Sequence, residues 1–255
     1  MRILLSNDDG VLARGLDALR GALEETGEVF VVAPEREQSG ASRSLTLDRP
    51  LRVRRMGERV YSVDGTPTDC VLLAVRGIPD MVQVQPDLIV SGINHGPNLG
   101  DDVTYSGTVA AAAEGSLMGI SSVAISLSSW EPAHFETAAR VARIIVGQLH
   151  ERPVPAGTLL NVNVPDVPFA SLRGTRVTRL GRRVYPDVIV AELDPRGKPC
   201  YWIGGDKPTW LPGEGTDFEA VEAGFVSITP LHLDLTDHGL LEQVRGWSLG
   251  PGAGV

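Results

Sequence analysis

The chain opens with Met1-Arg2-Ile3-Leu4-Leu5-Ser6-Asn7-Asp8-Asp9-Gly10. A short apolar run without polar alternation reads as a strand of a parallel sheet buried on both faces. Asp8 and Asp9 then stand at its C-terminal end, the edge where open α/β sheets bind ligands. Neighbouring side chains on a strand point to opposite faces, but a turn at Gly10 lets both carboxylates converge. Two carboxylates held together repel unless a proton or cation intervenes. The pair therefore reads as a site for a hard divalent metal. The alternative reading is that one Asp caps the next helix and the other is solvated.

Working outward, strand and helix patterns alternate. Residues 2–5 and 29–33 read as strands around a helix at 13–25, which stops near Gly27. Residues 34–44 form a polar loop too long for a simple connector, a length often tied to function. Residues 45–55 and 59–63 read as a β-ribbon around Gly57. Thr66-Pro67 opens a helix through residue 75, with Thr as N-cap and Pro at the first position. Strands at 87–91 and 122–127, an Ala-rich helix at 108–117 and a long helix at 133–150 complete a βαβ alternation. That pattern predicts an α/β fold with a doubly wound, mostly parallel sheet.

Beyond residue 153 the pattern changes. Strands are expected at 159–164, 175–180, 188–193, 200–203 and 225–229, with a short helix at 217–222 behind Thr216. Asp194-Pro195-Arg196-Gly197 is a turn between two of those strands. The resulting hairpin has no obvious place in a parallel core, and a lone hairpin is marginal in water, so a partner subunit is a natural surface for it. The Gly/Pro-rich end, 249–255, is expected to fray.

Composition narrows the class. The chain has 255 residues, enough for one large domain or a domain with an extension. Its net charge of −9, with no isolated Lys/Arg block, argues against a nucleic-acid partner but leaves a nucleotide substrate open. Cys70 and Cys200 make neither a disulfide framework nor a zinc spacing, which fits a reducing cytoplasm. The apolar run after Arg2 is too short for a signal peptide, and no stretch approaches membrane-spanning length. No dinucleotide G-x-G-x-x-G follows the first strand, and no P-loop occurs. The acidic pair is contiguous, which speaks against an aspartyl-phosphate phosphatase of the haloacid dehalogenase type.

Three loops should gather at one edge of the sheet. They offer Asp8 and Asp9, then Ser39 and Gly40, then Asn94 and Asn98 within Ser91-Gly92-Ile93-Asn94-His95-Gly96-Pro97-Asn98. Two carboxylates, a hydroxyl and an amide carbonyl form an all-oxygen set, which suits Mg²⁺ or Mn²⁺ better than Zn²⁺. Ser106-Gly107-Thr108 opens the Ala-rich helix, where free N–H groups favour an anion. Taken alone, Ser106 or Thr108 reads more simply as an N-cap. Beside a metal, the same residues read as a phosphate cradle. His95 shows no partner in sequence and is expected to be a bystander. His134, His150, His232 and His238 are read as surface or packing residues, Cys70 as core, Arg49 to Arg59 as a solvated ribbon, and Asp101 and Asp102 as loop-end caps.

These motifs, in this order, resemble the SurE (survival protein E) family of nucleotidases. The resemblance rests on Ile3 to Gly10, Ala33-Pro34 through Gln38-Ser39-Gly40, Ser91 to Gly100, Tyr105 to Ala111 with Glu114-Gly115, and Thr216-Asp217 leading to Ser227-Ile228-Thr229-Pro230-Leu231. It implies a metal-dependent phosphatase of nucleoside 5′- and 3′-monophosphates, with short polyphosphate as a further substrate in some members. It also implies a Rossmann-like core at 1–153. Residues 154–255 would complete that core and supply a C-terminal hairpin and tail exchanged between subunits of a homodimer or homotetramer. The family's metal ligands fall on Asp8, Asp9, Ser39 and Asn94. His95 stands where the family often has a small residue.

The expected chemistry is phosphoric monoester hydrolysis with Mg²⁺ or Mn²⁺. Asp8 and Asp9 are the catalytic carboxylates, and Asp9 is preferred for orienting or deprotonating water. Gly40, Asn98, Ser106, Gly107 and Thr108 would stabilise the phosphoryl oxygens. The competing classes are a metal-dependent nucleotide-binding module without turnover, and a structural oligomer whose loops merely cap helices.

Overall fold

The computed structural model describes residues 1–78, 83–184, 189–203 and 209–247. Its elements run in the order β1 (Arg2–Ser6), α1 (Arg14–Leu23), β2 (Glu28–Pro34), β3 (Val53–Gly57), β4 (Val60–Val63), α2 (Pro67–Arg76) and β5 (Leu88–His95). There follow α3 (Gly107–Leu117), β6 (Ser121–Ser128), α4 (Phe135–Glu151), β7 (Thr158–Pro165), β8 (Thr175–Val177), β9 (Arg183–Val184), β10 (Ile189–Leu193) and β11 (Pro199–Ile203). The chain continues through β12 (Thr209–Trp210), α5 (Asp217–Glu222), β13 (Val226–His232) and α6 (Leu241–Arg245).

Nine strands form one sheet in the order β3-β4-β2-β1-β5-β6-β7-β13-β8. From β4 through β7 every neighbour is parallel. The opening strand lies between β2 and β5, so the chain winds outward in both directions from it. The gap between β1 and β5 is the topological switch point, where loops from the two halves part and leave a crevice.

Alternation along β1 builds both layers. Ile3 and Leu5 enter one core with Leu16, Leu19 and Leu23 of α1 and Val141, Ile145 and Leu149 of α4. Leu4 points the other way, into a core with Val32, Tyr61, Val71 and Cys70. Cys70 is thus a core residue, as expected, and burial pushes its thiol pKa up. Helix α2 starts where the sequence indicates. Thr66 accepts from the Asp69 N–H at 3.1 Å, and Asp69 accepts from the Thr66 N–H at 2.8 Å, a closed capping box with Pro67 behind it.

Four expectations need correction. Residues 45–52 are not strand; only Val53–Gly57 pairs with β4. Pro50 lacks a donor for a ladder, and Thr46 instead gives its N–H and hydroxyl to Asp69. The strand expected at 87–91 runs on to His95, because a bulge lets it continue. The strand at 175–180 ends at Val177, where Thr178 turns its hydroxyl to Ser227 and Thr229. Strand β13 extends to His232 and lies antiparallel to β7, so the sheet is mixed at that end. Strands β10 and β11 pair with each other, apart from the main sheet, as the expected hairpin. Val188 and the tail 249–255 lie outside the described residues.

No helix among the described residues is long and apolar enough to cross a membrane.

Candidate metal and phosphate site

Asp8 and Asp9 leave β1 at the switch point, and neither caps α1. That helix has Ala13 as its N-cap, with no side-chain bond, so the capping alternative does not describe them. Asn7 steadies the turn by donating Nδ2–H to the Gly10 carbonyl at 3.0 Å. The Asp8 carbonyl accepts the Gln38 N–H at 2.7 Å, which ties the second loop to the first.

The bulge in β5 brings Asn94 to the Thr108 hydroxyl, which also touches Asp8. Ser91 pairs with Ala124 and Asn94 with Ser126, so Gly92 and Ile93 together oppose Ile125. The extra residue re-aims the strand end. Gly92 has φ +134°, and a Cβ there would lie 2.3 Å from the Ile125 carbonyl oxygen. Only glycine fits. Asn94 donates Nδ2–H to the Gly96 carbonyl at 2.9 Å, which leaves Oδ1 as its acceptor toward the site.

Helix α3 supplies the third side. Its Thr108 is fully buried, and the hydroxyl touches Asp8 Oδ1 closely and Asn94 Oδ1 at 3.3 Å. Gly107 permits this approach, since a Cβ there would lie 2.7 Å from Asp8 Cβ. Ser106 is the N-cap and accepts the Val109 N–H at 3.1 Å. The N-terminal amides of α3 therefore serve the Asp8 carboxylate, and Ser106 caps as the simpler reading expects.

Electrostatics follow from this enclosure. Burial pushes the Asp8 pKa up, against the Thr108 hydroxyl and the Thr108 and Gly107 amides, which favour its charge. Burial and then the neighbouring charge of Asp8 raise Asp9 to about 7, opposed by the His95 N–H. Two crowded carboxylates in an apolar setting are a strong demand for positive charge.

A cavity of about 570 Å³ opens over these groups, lined by Asp8, Ser39, Gly40, Asn94, Asn98 and Ser106 among others. Asp9 faces an adjoining hollow that shares Ser39 and His95. Ser39 is exposed and donates to Glu37 at 2.8 Å. Asn98 sits deeper than expected for a loop donor. Its N–H goes to Asn163 Oδ1 and its Nδ2–H to Ser126, both at 2.8 Å, while its carbonyl accepts from Asn161 and Asn163.

Four residues have partners that sequence reasoning missed. His95 is no bystander: its N–H reaches Asp9 Oδ2 at 3.3 Å, and its ring Nδ1 lies 3.7 Å from Asp9 Oδ1. Burial lowers its pKa, with Arg14 adding to the effect. The only hint in sequence was its position beside Asn94. Asp101 and Asp102 do not cap; they take the Arg183 N–H and guanidinium. Asp217 is fully buried and accepts from Gly100 at 2.7 Å, Gly181 at 2.9 Å and Phe218 at 3.0 Å. It clamps the site loop to the C-terminal half. Among the described residues no three His, Cys, Asp or Glu side chains group for metal binding; the converging oxygens are two carboxylates, an amide and hydroxyls.

Known proteins resemble this chain over nearly its whole length. The family described as Survival protein SurE matches residues 3–187. A protein of Alkalilimnicola ehrlichii named 5′-nucleotidase SurE is 54% identical over 252 residues, covering 99% of this chain and 97% of its own. One of Laribacter hongkongensis with the same name is 54% identical over 247 residues, covering 97% and 99%. The crystal structure of the SurE protein from Aquifex aeolicus superposes with a TM-score of 0.84 at 44% identity, over 96% of this chain and 98% of that one. By the length and identity of these matches, the chain belongs to the SurE family.

Proposed function

We propose that this chain is a metal-dependent phosphatase that hydrolyses nucleoside 5′- and 3′-monophosphates to nucleoside and phosphate, with short polyphosphate as a further substrate. The observation that carries it is the carboxylate pair at the switch point, buried Asp8 and half-buried Asp9, with Asn94 Oδ1 beside it and the N-terminus of α3 behind it. The substrate class comes from relatives at 54% identity named 5′-nucleotidase.

The donor set fits a hard divalent cation. Burial and mutual repulsion disfavour both charges, and a cation would reverse that penalty. Asp8, Asp9, Asn94 and Ser39 would hold Mg²⁺ or Mn²⁺. Such an ion supplies Lewis acidity toward a phosphoryl oxygen and makes water a better nucleophile.

The chain's own residues do the rest. Asp9, oriented by the His95 N–H, accepts a proton from the attacking water. Gly40, Asn98 and Ser106 line the cavity where the phosphoryl oxygens would lie, while Gly107 and Thr108 act through Asp8, whose charge their amides and the Thr108 hydroxyl hold. The leaving nucleoside departs as its alcohol, its oxygen taking a proton from solvent water as the P–O bond breaks. The same reading carries a cytoplasmic homodimer or homotetramer in which the β10–β11 hairpin crosses between subunits. Exposed Ile189, Leu193, Tyr201 and Trp202 on that hairpin support it.

The test is phosphate release from a panel of 5′- and 3′-nucleoside monophosphates with Mn²⁺, with Mg²⁺ and with EDTA. Turnover that EDTA stops and either metal restores is expected. No release under any metal, from folded protein, would overturn the reading and leave a binding module.

A further inference from the structure

The cavity above Asp8 has an aromatic wall that the phosphate chemistry does not use. Trp130 follows β6 at the same sheet edge and lines this cavity. It is 59% exposed, an unusual position for the largest side chain. Its six-membered ring rests on the backbone at Gly96, where an added Cβ would lie 3.4 Å from Cζ3. The loop beneath it is tied down. The Ser129 and Gly96 N–H groups both go to the Leu127 carbonyl, at 2.8 and 3.1 Å, and the Glu131 N–H goes to Ser129 Oγ at 3.2 Å. Tyr105, equally exposed, lines the same cavity. The indole is thus held in place with much of its surface open, two residues past the strand beside Asn94.

We infer that Trp130 is the base-stacking residue of the site, and that it sets the preference for nucleotides over simpler phosphate esters. This rests on the phosphatase reading above. Every nucleobase has an apolar π-face, and stacking on an aromatic side chain favours bases without reading their hydrogen-bonding edges. A cavity of about 570 Å³ falls in the size range of small-molecule sites. With phosphate at Asp8 and Asn94, a base on Trp130 accounts for the apolar side of the cavity. Trp130 lies against Gly96 on the cavity wall and offers no oxygen to a metal, so it is a specificity residue.

The experiment compares adenosine 5′-monophosphate with ribose 5-phosphate, which keeps the ester and sugar but lacks the base. In Trp130→Ala, the ratio of kcat/KM for the nucleotide over the sugar phosphate should fall by about 10–100-fold, through KM, and Trp130→Phe should recover most of it. A second readout needs no turnover. With Mg²⁺ present, the product adenosine, which keeps the base and is not turned over, should quench tryptophan emission in the wild type and not in Trp130→Phe, while ribose quenches neither. An unchanged ratio in Trp130→Ala, or adenosine binding without quenching, would overturn the inference. Wild-type protein that shows quenching but releases no phosphate from either ester would overturn the phosphatase reading and leave this one standing.

Discussion

Replacing Asp8 by Asn removes a charge that burial disfavours and that the proposed chemistry requires. Asp8→Asn should lower metal-dependent turnover by about 100-fold or more, the loss of several kcal/mol of charge stabilisation. In the metal-free state the same variant should melt higher than wild type, because a destabilised carboxylate is gone. Calorimetry with EDTA and a phosphate assay with Mn²⁺ check both halves; near-wild-type rates would remove Asp8 from the site. Asp9 gives a pH signature. Its pKa in the fold, about 7, lies above the ordinary 3.8, so the folded chain keeps a proton that the unfolded chain releases between those values. The associated stability is fully present below about pH 4 and is lost as pH rises through about 7. With EDTA, the melting temperature of wild type relative to Asp9→Asn should therefore fall between pH 5 and pH 8. A difference that stays flat across that range would refute the assignment. Saturating Mn²⁺ should offset the loss, since binding to the folded state stabilises it by mass action.

Among the elements, β5 decides whether Asn94 reaches the Thr108 hydroxyl that also touches Asp8. Gly92→Ala puts a methyl group against the Ile125 carbonyl at a φ that alanine rarely adopts. A cost of about 3 kcal/mol or more is expected in urea unfolding, with activity lost even in the folded fraction because the bulge re-registers. The bulge was also the least legible element. The run Leu-Ile-Val-Ser announces a strand, but nothing in Gly92-Ile93 says that pairing resumes beyond it. Strand direction is hidden for a similar reason: the residues of β13 read the same parallel or antiparallel, so only the packing shows that it runs against β7. Local signals were read well. Thr66-Pro67 with Asp69 marks a helix start within four residues, and α5 falls at 217–222 as expected. Buried-strand runs such as β1 and β6 stand out because both of their faces must be apolar.

Across the whole molecule, the readable parts are those whose partners are near in sequence or whose chemistry is unusual. Asp8-Asp9 announced itself as a contiguous acidic pair. His95 did not, because its contact with Asp9 spans 86 residues. Asp217 was legible as a motif residue but not as a clamp, because its partners Gly100 and Gly181 lie far along the chain. Asp217→Ala leaves three buried N–H groups without an acceptor and should cost about 3 kcal/mol or more. It should also loosen the loop that carries Asn98, so KM for nucleotide should rise together with the loss in melting temperature. A variant that melts lower with an unchanged KM would show that the clamp serves stability alone.

That clamp has a consequence for how the protein is made. A ribosome that has completed Asp8 and Asp9 reaches Asp217 only roughly 10–40 s later at ordinary elongation rates. Throughout that interval the acidic pair is on a nascent chain whose site loop has no anchor. A message cut short before the Asp217 codon yields a polypeptide with the carboxylates, Ser39 and Asn94 all present, and still without the residue that holds Gly100 in place. Truncated translation products are thereby denied the anchored site loop, and only a polypeptide that extends past Asp217 can fasten it.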